Sequence, residues 1–128
     1  MTTGTTAPAT LAMLTLDCGE VQPVAGFWAE MLGYEIVASS DDYAMLRGAE
    51  GAALGFGRVP DYEPPAWPND RGSKQFHLDL AVADLETAAA RALELGAALA
   101  DPQPGETWRV LLDPAGHPFC LTRAESWG

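Results

Sequence analysis

The second half of this chain echoes the first, and that repeat constrains the fold more than anything else in the sequence. Leu16 and Asp17 reappear as Leu78 and Asp79, 62 residues on, and Leu32 and Gly33 as Leu95 and Gly96, 63 residues on. Tyr43, Leu46, Gly51 and Leu54 line up with Trp108, Leu111, Gly116 and Phe119 at a spacing of 65. The drift falls where loops are expected and reads as small insertions between duplicated elements. A unit of this size makes one four-stranded sheet and cannot cover both of its faces alone, so the two units must bury apolar surface together. The chain has 128 residues, enough for one such domain and too few for two conventional ones.

Periodicity fills in each unit. Residues 11–18 alternate as a strand, with Leu14, Leu16 and Cys18 on one face and Met13, Thr15 and Asp17 on the other. Val24, Phe27, Trp28, Met31 and Leu32 fall at helical spacing over 24–32, with Pro23 in the first turn and Gly33 as the stop. Strands are predicted at 34–38, 42–47 and 52–59. The second unit repeats this with a strand at 75–82, then a helix over 85–95 that Asp84 caps and Gly96 ends. Strands follow at 97–100, 107–112 and 118–123, the last two joined by a turn over 113–116. The fold class is therefore α+β, two β-α-β-β-β modules, module one over about 10–59 and module two over about 75–124 of a single domain spanning 10–124. Residues 1–9 read as a disordered tail. Between the modules, residues 60–74 carry Pro60, Pro64, Pro65 and Pro68 with Tyr62 and Trp67 among them. Such a stretch is a linker, or a lid whose aromatics close over a ligand or form a dimer contact.

Charge narrows the partners. Seven Lys+Arg against eighteen Asp+Glu give a net charge of −11, with the cations scattered, which argues against nucleic acid and against an anionic membrane surface. No apolar run approaches a bilayer span, and the first ten residues lack the cationic and apolar regions of a signal peptide. Two cysteines, Cys18 and Cys120, are too few for a disulfide scaffold, so a reduced cytoplasmic location is expected.

Four strings in this order resemble the vicinal oxygen chelate superfamily, the glyoxalase/bleomycin-resistance/dioxygenase group, in its glyoxalase-like branch. They are Phe27-Trp28-Ala29-Glu30-Met31-Leu32-Gly33, His77-Leu78-Asp79-Leu80, the helix and stop over 85–96, and Asp113-Pro114-Ala115-Gly116-His117-Pro118-Phe119-Cys120-Leu121. The resemblance covers about 11–123 and implies two modules whose curved sheets form an open barrel around a cavity, in a homodimer. It also implies positions where relatives hold a divalent metal with His and Glu: near Met13 and Thr15, at about Gly55, at His77 and at Cys120. Only His77 is of that ligand type, so no metal and no cofactor is expected here.

Within the cavity so implied, His77 is the candidate catalytic residue, an acid/base or a donor to a carbonyl, with the alternative of a relic ligand kept as a satisfied polar residue. Asp17 and Asp79 read as an equivalent carboxylate pair, binding ligand or simply ending their strands. Tyr43 and Trp108 read as equivalent aromatics, either core or a sandwich for a planar ligand. Cys120 faces the cavity as a wall residue; Cys18, Phe27 and Trp28 face the core, and His117 reads as an exposed turn residue. Three functions fit. The first is a metal-independent binder of an aromatic or carbonyl-rich small molecule. The second is a lyase, isomerase or dioxygenase with an atypical site around His77, and the third is a protein-interaction module.

Overall fold

The computed structural model describes residues 7–67 and 76–127. Module one runs β1 (Met13–Cys18), α1 (Val21–Leu32), β2 (Glu35–Ser39), β3 (Tyr43–Arg47) and β4 (Ala53–Arg58). Module two runs β5 (Leu78–Val82), α2 (Leu85–Leu95), β6 (Ala98–Leu99), β7 (Trp108–Leu112) and β8 (Pro118–Arg123), followed by a 3-10 turn, Ala124–Trp127. The sheets have the same strand order, β1-β4-β3-β2 and β5-β8-β7-β6, with the first strand parallel to the last and the others antiparallel. They are cupped and do not close into a barrel. Among the described residues no helix is long and apolar enough to cross a membrane. Residues 1–6 of the expected tail over 1–9 and residues 68–74 of the connector over 60–74 lie outside the described residues.

Local chemistry sets the boundaries. Helix α1 starts at Val21, three residues earlier than its apolar spacing predicts, because Pro23 sits where an amide would have no intrahelical acceptor. Its N-cap Glu20 makes no side-chain bond, whereas the Asp84 carboxylate caps α2 by accepting from the Thr87 amide at 2.8 Å. Gly33 and Gly96 end the helices in the left-handed region (φ 67° and 119°). The strand expected over 97–100 shrinks to Ala98–Leu99, and β5 begins only at Leu78.

One core serves both modules. Cys18, Trp28 and Phe56 from module one are fully buried in the same cluster as Leu111, Phe119 and Leu121 from module two. The Trp28 ring meets Phe119 edge-on at 4.9 Å across the module boundary, and Phe27 lies 5.8 Å from the same ring. Each such side chain contributes roughly 1.5–3 kcal/mol by leaving water. Burial pushes the Cys18 thiol up, with Asp17 and Asp113 adding to the shift, so that sulfur is an inert core atom.

The strand ladders correct the sequence echo at one point. Met45 pairs with Gly55 and Val110 with Cys120, which confirms the spacing of 65 for these strands. But Thr15 faces Gly55, while Asp79 faces Cys120. The register equivalent of Asp79 is therefore Thr15, and that of His77 is Met13. Asp17 corresponds to Ala81, so Asp17 and Asp79 are not equivalent positions. A slip of two residues leaves a strand's faces unchanged, and for that reason the Leu-Asp echo misleads.

Candidate functional site

Alternation puts a second set of side chains on the faces opposite the core. In module one this set includes Met13, Thr15 and Asp17, with Tyr43, Gly55 and Gly57 beside them. In module two it includes Asp79, Trp108, Val110, Cys120 and Thr122, with His77 just ahead of β5.

Module two builds a cup from these positions. His77, Asp79, Thr107, Trp108, Cys120 and Thr122 line a cavity of about 650 Å³, joined at its lip by Arg123, Ser126 and Trp127. That volume lies in the range of small-molecule sites. The His77 Nε2 atom stands 3.3 Å from Asp79 Oδ1. His77 Nδ1 is buried and has no hydrogen-bond partner among the described residues. Cys120, 2% exposed, sits beneath them, and donor atoms of all three residues lie within 4.8 Å of one another. The Thr122 hydroxyl donates to the Leu80 carbonyl at 2.9 Å and accepts from the Trp127 indole at 2.7 Å, which holds the C-terminal turn beside the cup. A groove of about 470 Å³ along the seam between modules is lined mainly by Leu and Ala. Its basic group, Arg91, is shared between Glu30 and Glu94, and Tyr34 and Asp79 also reach its lining.

Four of the six site residues expected from sequence thus come together: His77, Asp79, Trp108 and Cys120. Asp17 and Tyr43 stand on module one and do not line this cup, so Tyr43 and Trp108 do not sandwich one ligand within a chain. Thr122 and Trp127 were missed. Thr122 follows from alternation two residues after Cys120; Trp127 lies in a non-repeating turn that carries no periodic signal.

A second polar cluster sits at the turn before β8, and here the reading of His117 as exposed is overturned. Its side chain is 13% exposed, and its Nδ1 lies 2.8 Å from Asp113 Oδ2, on a carboxylate whose side chain is fully buried. That carboxylate also accepts from the Trp28 indole (2.8 Å) and from the amides of Ala115 and His117 (both 2.9 Å). Tyr62, from the Pro-rich connector, donates its hydroxyl to the Ala115 carbonyl at 2.7 Å and lies 3.2 Å from His117 Nε2. Burial and then the Asp113 charge push the Tyr62 phenol up to about 12.

The residues do not fit the His and Glu metal set that the family implies. Module one offers Met13, Thr15 and Gly55, and a Cβ built on Gly55 would stand 2.9 Å from the Met13 sulfur, so that space is taken. Module two offers instead one imidazole, one carboxylate and one buried thiol with donor atoms within 4.8 Å of one another, a set that differs from the family's and is of the kinds a borderline cation such as zinc takes.

The family model for the glyoxalase-like domain matches residues 13–122. No curated protein matches the chain. Among solved structures, a glyoxalase/bleomycin resistance protein/dioxygenase family enzyme from Burkholderia phytofirmans PsJN superposes with a TM-score of 0.68 at 15% identity, covering 91% of this chain and 99% of that one. A possible glyoxalase from Bacillus cereus gives 0.65 at 17% identity, covering 88% and 97%. The bleomycin-binding protein of Streptomyces verticillus, solved with copper(II)-bleomycin, gives 0.55 at 17% identity, covering 91% and 98%. At these identities the likeness is one of fold.

Proposed function

The chain belongs to the glyoxalase-like domain family, and on that footing we propose that it is a metal-independent small-molecule binding protein whose ligand, aromatic or carbonyl-rich, occupies the module-two cup. One observation carries this reading: an aromatic wall, Trp108, and a polar pair, His77 and Asp79, converge on one cavity of ligand size. A planar ligand would lie against the indole, and a ligand carbonyl or hydroxyl would take a hydrogen bond from His77. Asp79, Cys120 and Thr122 would shape the floor and the polar edge. Bleomycin, which the Streptomyces verticillus protein binds, belongs among the first probes.

The reading includes a cytoplasmic homodimer. Among the described residues module one contributes no wall to the cup, so a second copy has a place to complete it. The His77–Asp79 pair favours a second reading, a glyoxalase-like lyase, isomerase or dioxygenase in which His77 is the acid/base. Loss of a detected turnover in His77→Ala would support that reading, and unchanged turnover would remove His77 from it. An open, partly polar cup counts against a protein-interaction module that leaves the cavity unused.

The test is a thermal-shift screen of metal-free bleomycin, phenols, aromatic acids and diones, paired with metal analysis of protein purified without chelators. A binder stabilises only the native state and raises its melting temperature. Ligand-dependent shifts in metal-free protein support the proposal. Shifts that require one bound zinc per chain, abolished in Cys120→Ser, overturn its metal independence.

A further inference from the structure

The Pro-rich connector is docked on module two at three successive points. Tyr62 bonds to the 113–117 turn through the Ala115 carbonyl and His117. Pro64 packs on Gly116, where an added Cβ would come within 2.5 Å of the proline ring, and the backbone there has φ +89°, which glycine adopts without strain. Trp67 packs on the apolar patch of Ala100, Val110 and Cys120, together with Trp108 and Leu112. That patch is the cup side of the module-two sheet, since Cys120 and Trp108 also line the cavity. The strand beneath it is itself pinned: the Gln103 amide bonds the carbonyls of Ala100 and Val110 (both 2.8 Å) and the Val110 amide (2.9 Å). The turn that anchors Tyr62 is equally fixed, because its Asp113 is locked to the core by Trp28.

We infer that the connector over residues 60–67 is a strap over the module-two cup, in which Trp67 is a specificity-determining wall of the binding site and Tyr62 is the positioning residue that holds it there. The inference rests on the proposed binding role of the cup. A wall carried on a docked strap differs from one carried on a strand. Its position depends on a few contacts of ordinary strength, so the width of the cup is set by the docking equilibrium rather than by the fold as a whole. Large planar ligands would need the strap displaced; small ones would fit beside Trp67. Tyr62→Phe removes one hydroxyl and keeps the ring against Gly19, so the connector loses its latch without losing its packing.

Cys120 reports on the strap directly, because it lies in the patch that Trp67 covers. In a Cys18→Ala background Cys120 is the one remaining thiol of the chain. The probe is 4,4′-dithiodipyridine, a neutral disulfide; the Cys120 thiolate attacks one sulfur, a mixed disulfide forms, and one 4-thiopyridone is released and counted by absorbance. Losing one hydrogen bond of ordinary net strength should raise the rate about three- to tenfold in Tyr62→Phe. Trp67→Ala should raise it by about tenfold or more, as an aromatic cover is lost altogether. Melting temperature is followed in parallel, so that global loosening is recognised by a matching fall in Tm. A local strap predicts the faster reaction with Tm little changed in Tyr62→Phe.

The second readout is selectivity among the ligands found by the screen. Trp67→Ala should weaken small ligands and spare or improve large ones. A reaction rate that is the same in all three backgrounds overturns the strap, even if ligands bind as proposed. A faster rate in both variants, with no ligand bound by any form, upholds the strap and instead removes the binding role of the cup.

Discussion

In module one the cup-side positions Met13, Thr15, Gly55 and Tyr43 are in the same ladder register as His77, Asp79, Cys120 and Trp108 in module two. The backbone is the same and the chemistry is not. A thioether fills the space beside Gly55, whereas an imidazole, a carboxylate and a thiol surround a cavity of about 650 Å³ in the other half. The core sides show no such divergence: Leu54 and Phe56 match Phe119 and Leu121, and all four are buried in one cluster. The two helices and sheets share that core, so each core-side residue must keep its apolar volume for both modules. Cup-side residues carry no such shared duty. The repeat therefore keeps the fold in both halves, while the cup lined by His77, Asp79 and Cys120 belongs to one.

The largest effect that tests this comparison is in the shared core. Phe119→Ala should destabilise the protein by about 3–5 kcal/mol in denaturant unfolding, because it strips both the Trp28 and the Phe27 contacts. The transition should stay single; two separated transitions would mean that the modules do not share a core. Next in size is the asymmetry of the cups. Trp108→Ala should weaken ligand binding about tenfold, or about 1.4 kcal/mol, and Tyr43→Ala should leave it unchanged. Equal losses from both would put the ligand between the two modules.

The connector supplies a pH-dependent effect. The folded state keeps the Tyr62 phenol protonated to about 12 against an ordinary value of 10.0, so its contribution is complete below pH 10 and is lost as pH rises toward 12. Stability of the native protein should therefore fall over that window more steeply than that of Tyr62→Phe, as followed by urea midpoints. The smallest effect separates the helices. Hydrogen bonds from Thr87 hold the Asp84 carboxyl below its ordinary range, so its contribution is present above that range and is lost as pH falls through the lowered value. Asp84→Ala should lower Tm at neutral pH, whereas Glu20→Ala at the uncapped start of α1 should not.

Much of this was legible before any coordinates. Helix α2 and strand β8 fall on the residues their periodicity marks, and Asp84 caps as its residue type predicts, because those signals are local. Alternation placed Cys120 on the face opposite Phe119 and Leu121 and Cys18 on the face of Leu14 and Leu16, and the family resemblance made the first of these the cavity side. What escaped was non-local. The network of Trp28, Tyr62, Asp113 and His117 joins residues 85 and 55 positions apart, and no window along the chain contains it. A turn sequence over 113–116 reads as exposed until its aspartate is seen to serve the partners that bury it. The two-residue slip between Asp17 and Asp79 is invisible for a related reason: alternation assigns a face, and only a partner strand assigns a position along it.

The most direct measurement is amide chemical-shift mapping of the uniformly ¹⁵N-labelled protein, titrated with the strongest aromatic ligand from the thermal screen. The account predicts perturbations clustered at His77–Asp79, Trp108–Val110 and Cys120–Thr122, with Met13, Thr15, Tyr43 and Gly55 unmoved. Perturbations centred on those module-one residues, or on the seam at Met31, Leu80 and Leu95, would contradict it.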